Sequence, residues 1–235
     1  MGDEDYEGED AKMCKVVLLG ESGVGKTSII SRFINDAFEE GCVSTTGASY
    51  VSKDLVFKDY KNQLVKFEIW DTAGQEKYRS LTQIFYKDAS IAILVYDITS
   101  EESFEEVQNY WYKQLKECAP KNIVIGLAAN KSDLFENEQV PEEKARNFAQ
   151  EIGAIFRLTS AYTSVGVEEL FIGVGCKFLD PKYRDDGTKK PEVKAVEEDQ
   201  NQGNEPKLEP KRQNHHGSIR LDPNAKNKPK KKSCC

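Results

Sequence analysis

The chain has 235 residues, room for one ordinary domain with extra segments at its ends. A formal net charge of −7 argues against a broadly basic nucleic-acid-binding surface, and no apolar run reaches the roughly 18 residues that a membrane span needs. The six cysteines form no C-x-x-C pair and follow no signal peptide, which fits a reduced, cytosolic compartment.

Residues 3–10 carry Asp3, Glu4, Asp5, Glu7, Glu9 and Asp10 without a Lys or Arg. They lack the apolar surface to offset ordering entropy, so 1–12 is expected to be a disordered acidic N-terminus. Met1-Gly2 opens like a myristoylation signal, but Tyr6 stands where that signal wants Ser or Thr, and none is expected. Val16-Val17-Leu18-Leu19 then reads as a strand leading into Gly20-Glu21-Ser22-Gly23-Val24-Gly25-Lys26-Thr27, and 28–34 as a helix leading out. After a polar stretch at 35–46, residues 48–57 and 64–70 read as two strands joined by the turn Asp59-Tyr60-Lys61-Asn62, hence one antiparallel pair. The continuous apolar runs at 91–96 and 123–129 suit strands buried on both faces of a parallel sheet. Between them 101–117 reads as a helix capped by Ser100, with Phe104, Val107, Trp111 and Leu115 on one face. A helix at 141–152, a short strand at 155–158 and a helix at 165–179 complete an open α/β domain over 13–180 with helices on both faces. In such sheets ligands sit at the carboxyl ends of the strands.

Every chemistry-bearing motif falls at such an end. G-x-x-x-x-G-K-T between a strand and a helix is a phosphate-binding loop: its N–H groups turn inward onto phosphate oxygens, Lys26 reaches the β- and γ-phosphates, and the Thr27 hydroxyl can bind Mg²⁺. Asp71-Thr72-Ala73-Gly74-Gln75 follows the strand ending at Trp70. There Asp71 is placed to hold Mg²⁺ through water, Gly74 to offer its N–H to the γ-phosphate, and Gln75 to orient an attacking water. Asn130-Lys131-Ser132-Asp133 follows the strand ending at Ala129. The two acceptor oxygens of Asp133 match the N1–H and N2–H₂ donors of guanine, which adenine lacks. Ser160-Ala161-Tyr162 ends the last strand, where the Ala161 N–H can meet guanine O6. Each motif alone has a plain structural reading as a turn or cap; together they point to a guanine nucleotide.

Over about residues 15–179 the chain resembles small GTPases of the Ras superfamily, and the Rab family in particular. Lys66-Phe67-Glu68-Ile69-Trp70, Gln75-Glu76-Lys77-Tyr78-Arg79-Ser80-Leu81 and Leu94-Val95-Tyr96-Asp97-Ile98-Thr99 carry that closer likeness, and the endosomal branch looks most similar. The resemblance implies the P-loop GTPase fold, a mostly parallel six-stranded sheet with one antiparallel strand. It implies a GTP/GDP cycle with Mg²⁺, hydrolysis of GTP, and regulation of vesicle traffic, protein transport and endocytosis. It surrounds the nucleotide with Ser22, Gly23, Val24, Gly25, Lys26, Thr27, Ser28, Phe38, Thr45, Gly74, Asn130, Lys131, Asp133, Ser160, Ala161 and Tyr162. Lys26 and Gln75 would be catalytic; Thr27, Thr45 and Asp71 would hold the metal, with Thr46 a competitor for the first-switch role of Thr45. Phe38 would meet the guanine edge-on and the Lys131 stem its face, while Tyr50, Trp70 and Phe85 would contact effectors. The implied partners are effectors, an exchange factor, a GTPase-activating protein, and escort and dissociation-inhibitor proteins, around a monomer that binds no nucleic acid. Some positions depart from the family pattern: Gly47 and Ala48 after the switch threonines, Tyr50 for Phe, Tyr162 for Lys, and Phe85-Tyr86-Lys87-Asp88 for the usual Tyr-Tyr-Arg-Gly.

From Asp180 the composition turns polar, and 181–235 is expected to be a disordered tether. It ends Cys234-Cys235 behind Lys226, Lys228, Lys230, Lys231 and Lys232. The resemblance implies a geranylgeranyl group on each cysteine; two lipid chains anchor stably where one does not, and each Lys adds roughly 1 kcal/mol at an anionic leaflet. The expected address is the cytoplasmic face of intracellular membranes, endosomal, with a cytosolic fraction. An ATP-using phosphotransferase is disfavoured by Asp133, and a GTP-binding scaffold without hydrolysis by Gln75.

Overall fold

In the computed structural model the described residues are 10–39, 49–71, 86–185 and 191–196. Strands buried on both faces hold the centre of the sheet. Every residue of β4 (Ile91–Asp97) is buried, as are the last five of β5 (Val124–Asn130) and the last four of β1 (Lys12–Leu19). β3 (Gln63–Asp71) instead alternates buried and half-buried, because one of its faces is only partly covered. β2 (Ser49–Phe57) runs antiparallel to β3 from Ser49↔Asp71 to Phe57↔Gln63. A single 3₁₀ turn, Lys58–Tyr60, joins them, followed by Lys61 and Asn62 in the left-handed region. β6 (Ile155–Leu158) pairs parallel with β5, and the strand order is β6-β5-β4-β1-β3-β2-β7.

Helices cover both faces. α1 (Lys26–Asn35) and α4 (Val167–Leu179) pack on one side around Leu18, Phe67 and Ile93, where Phe33 and Phe171 stack at 3.8 Å and 8°. α2 (residues 101–118) and α3 (Glu142–Ile152) cover the other, around Leu19, Leu94 and Tyr96. The Ser100 hydroxyl accepts from the Ser103 N–H to cap α2, and Phe104, Val107, Trp111 and Leu115 are all buried, as their spacing predicts. A π turn, Val107–Trp111, interrupts α2, and nothing in the spacing announces it. α4 starts at Val167 rather than at Val165, which is 59% exposed.

Among the described residues the sheet has seven strands, one more than the sequence reading. β7 (Val193–Ala195) pairs antiparallel with β2 through Leu55↔Ala195, Val56↔Lys194 and Phe57↔Val193. It lies within the segment expected to be tail. Val193-Lys194-Ala195 alternates apolar and polar but is too short for a period to stand out; it forms because β2 offers an edge.

The stacked pair Phe33–Phe171 joins the helix behind the phosphate loop to the last helix. Phe171→Ala is expected to cost about 3–5 kcal/mol, read as a lower urea midpoint with the m-value unchanged.

Candidate functional site

The carboxyl ends of β1, β3, β4 and β5 lie side by side, because Val17 pairs with Trp70, Leu19 with Leu94 and Asp97 with Asn130. The loop from β1 to α1 closes over this end. A Cβ on Gly20 would lie 2.2 Å from the Val95 carbonyl oxygen. Gly25 has φ 95° and ψ 27°, and a Cβ there would lie 2.4 Å from Asn130 Nδ2. Both positions therefore require glycine, one for approach to the sheet and one also for backbone angle. Ser22 and Gly23 are exposed, Val24 is buried, and Ser28 is half-buried in the first turn of α1.

Lys26 is 5% exposed and donates to the carbonyl oxygens of Gly20 at 2.9 Å and Glu21 at 2.8 Å. Burial pushes its pKa down to about 8, against the pull of Asp71 and Glu21. An anion in the loop would favour the charged form. Thr27 donates its hydroxyl to Asp71 Oδ2 at 2.6 Å, and Asp71 is 2% exposed at the end of β3. Among the described residues no three His, Cys, Asp or Glu side chains gather as a metal cluster. A hydroxyl and one carboxylate, beside a loop that takes phosphates, are instead the hard-oxygen donors that suit Mg²⁺, which takes one or two carboxylates plus phosphate oxygens.

The base end is built around Asn130, which is 1% exposed. Its Nδ2 donates to the Val24 carbonyl at 2.8 Å, and its Oδ1 accepts from Thr159 Oγ1 at 3.2 Å. One buried amide thus ties the phosphate loop to the strand end of β6. Asp133 Oδ1 accepts from Ser160 Oγ at 2.5 Å, and Ser160 Oγ accepts from the Thr163 N–H at 3.0 Å. That fixes the carboxylate whose two acceptors would read guanine. Lys131 is left-handed at φ 63°, and its ammonium pairs with Asp97 Oδ2 at 2.5 Å. Ala161 is 4% exposed, whereas Tyr162 is 58% exposed and meets the Phe38 ring edge-on at 5.4 Å. Tyr50 and Trp70 face each other across β2 and β3 with centroids 5.4 Å apart. Tyr50 is 48% exposed, and Trp70 is half-buried with the Lys15 ammonium 5.3 Å from its ring centre. Thr45, Gly74, Gln75, Phe85, Cys234 and Cys235 lie outside the described residues.

Sequence reading missed two supports. Arg32 of α1 donates from Nε to the Ala161 carbonyl at 2.8 Å and from Nη2 to the Tyr162 carbonyl at 3.1 Å. Its Nη1 bonds Asp36 O at 2.7 Å and Oδ1 at 2.8 Å. An arginine on an amphipathic helix gives no sign of a contact 129 residues away. Asp97 did leave a signal, a carboxylate closing a wholly apolar run at the carboxyl end of a central strand. It accepts from the Thr99 N–H and hydroxyl at 2.9 and 2.7 Å, which leaves its other oxygen for Lys131.

A Ras-family sequence model matches residues 15–179. The Ras-related protein Rab-22A of Homo sapiens is 46% identical over 160 residues, spanning 68% of this chain and 80% of that protein. The Ras-related protein Rab-31 of Homo sapiens is 45% identical over 169 residues, spanning 71% and 85%, and Rab-31 of Mus musculus is 46% identical over 160 residues, spanning 68% and 80%.

Two outcomes are expected from this geometry. Arg32→Ala removes two donors from the base loop and should speed GDP release about fivefold, at roughly 1 kcal/mol for the lost bonds, measured by displacement of a fluorescent GDP. Lys26 is lowered to about 8 in the free protein, so near pH 9 it is mostly neutral and must be protonated to meet a phosphate. Nucleotide binding should therefore take up a proton there and none at this group near pH 7, with affinity falling as pH rises above about 8. Calorimetry in buffers of different ionisation enthalpy reads that uptake.

Proposed function

The chain belongs to the Ras family of small GTPases, within its Rab branch, and from that premise we propose that it is a two-state switch working on the cytoplasmic face of endosomal membranes. It hydrolyses GTP to GDP and phosphate and regulates vesicle traffic. The observation that carries the guanine reading is Asp133 held by Ser160 at 2.5 Å, in the same cleft as a buried phosphate-loop lysine. A carboxylate fixed there accepts from guanine N1–H and N2–H₂, and adenine would leave it unpaired. Phe38 and Tyr162 flank the base, with the Lys131 stem on its face; the Ala161 N–H meets O6.

At the other end the loop N–H groups of Gly23, Val24 and Gly25 hold the phosphates, and Ser22 and Ser28 border them. Lys26 stays protonated against the β- and γ-phosphates and stabilises the charge that develops on them. Thr27, Thr45 and Asp71 would hold a magnesium ion, which would supply charge neutralisation beside the phosphates. Gln75 positions the water that attacks the γ-phosphorus, and the Gly74 N–H senses the γ-phosphate. Release of that phosphate frees the Thr45 and Gly74 contacts, and effectors that engage Tyr50, Trp70 and Phe85 let go. An activating protein supplies an arginine in trans, worth roughly 10³–10⁵ in rate. An exchange factor, an escort protein and a dissociation inhibitor complete the cycle. Among the described residues no helix is long and apolar enough to cross a membrane; geranylgeranyl groups on Cys234 and Cys235 are the proposed anchor.

The test is to release and identify the bound nucleotide, then follow phosphate in single turnover after loading GTP. Guanine nucleotide with slow hydrolysis, slowed further by Gln75→Leu, supports the switch; bound adenine nucleotide overturns the reading of Asp133. Prenylated wild type should partition onto anionic vesicles and the Cys234→Ser/Cys235→Ser protein should stay in solution.

A further inference from the structure

The outer edge of β2 is a strand-binding surface, and the chain itself supplies the strand. The Val196 N–H donates to the Asp54 carbonyl at 3.1 Å, and the Lys58 N–H donates to the Glu192 carbonyl at 3.0 Å. Between these two lies Lys194, opposite Val56, in the same hydrogen-bonding set of the ladder. Side chains add to the seam. The Glu192 N–H donates to Asp59 Oδ2 at 3.3 Å, Lys58 Nζ lies 3.4 Å from Glu192 Oε2, and Val193 packs against the core cluster that holds Phe57 and Tyr60. Backbone, charge and apolar contacts thus converge on six residues, 191–196, far beyond the end of α4.

We propose that residues 191–196 are a strap that ties the tail to the β2 edge, so that the run to the terminal cysteines starts after Val196, which is bonded to Asp54, rather than at the end of α4. The direction of the strap matters. β2 runs from the nucleotide end at Ser49 to the far end at Phe57, and β7 runs back, from Phe57 towards Leu55. The chain is therefore released midway along the sheet edge, on the flank that carries Tyr50, and opposite the β6 edge. A strand edge left bare is also a template for pairing with other chains, and the strap covers half of it. The orienting consequence rests on the membrane reading above: with the tail released from this edge, the β2 edge lies on average closer than the β6 edge to a bilayer that holds the terminal cysteines.

Two measurements separate the strap from the anchor. In unlipidated, GDP-bound full-length protein, hydrogen exchange at Val56 and Val196 should be slow, and Lys194→Pro, which removes the ladder donor, should speed it about tenfold or more. Lys194→Ala should leave it slow, and both variants should keep the wild-type GDP release rate. Fast exchange at these amides in wild type overturns the strap. With prenylated protein on vesicles bearing acceptor lipids, energy transfer from a fluorophore at Asn62, beside β2, should exceed that from one at Glu143 on α3, and Lys194→Pro should narrow the difference. Slow exchange with no vesicle partition would leave the strap standing and sink the membrane reading. Partition with equal transfer from both labels would overturn the orientation.

Discussion

One buried amide holds the site together. Asn130 is almost fully enclosed at the end of β5, and each end of its side chain is used by a different loop. Its nitrogen takes the Val24 carbonyl of the phosphate loop; its oxygen takes the Thr159 hydroxyl at the end of β6. A buried amide of this kind is costly if either partner moves away, so the loops are fixed relative to each other before a nucleotide arrives. Gly25 belongs to the same constraint, since any side chain there would collide with the amide nitrogen. The loop after β1 and the loop after β6, more than a hundred residues apart in sequence, thereby share one point of attachment on the sheet.

α1 makes the second connection. It begins at Lys26, whose buried ammonium is held by Gly20 and Glu21 carbonyls, and it passes through Arg32, which braces the carbonyls of Ala161 and Tyr162. Its Phe33 stacks on Phe171 of α4. A rigid helix therefore runs from the phosphates to the base loop and is packed against the last helix. Lys26 shows what the arrangement costs without a ligand: desolvation lowers its pKa to about 8, and the loop carbonyls stand in for the oxygens it is placed to meet. A bound anion would offset that cost.

Tyr50 and Tyr162 are departures from the family pattern that lie among the described residues. Tyr162 turns its ring onto Phe38, while its backbone carbonyl takes the bond from Arg32. Tyr50 keeps an aromatic opposite Trp70 and adds a hydroxyl that donates to Glu68 Oε1 at 3.2 Å. These changes alter the surface that partners meet and leave Lys26, Thr27, Asp71 and Asp133 in place.

The sequence by itself determined the fold class, the helical faces and the motif-bearing loops, because each rests on local information: apolar runs for buried strands, helical spacing for Phe104 to Leu115, a loop pattern whose glycines answer to backbone angle. It nominated Asp133 and Lys26 because few residue types can do that chemistry at a strand end. Only the tertiary structure decided what supports them. Arg32 on the Ala161 carbonyl, Asp97 on Lys131 and Asn130 between two loops are contacts across long sequence separation, and no spacing encodes them. The strand Val193–Ala195 is the clearest case. Three residues are too short a run to announce a strand, and it exists because β2, at the edge of the sheet, leaves backbone groups that a passing segment can pair.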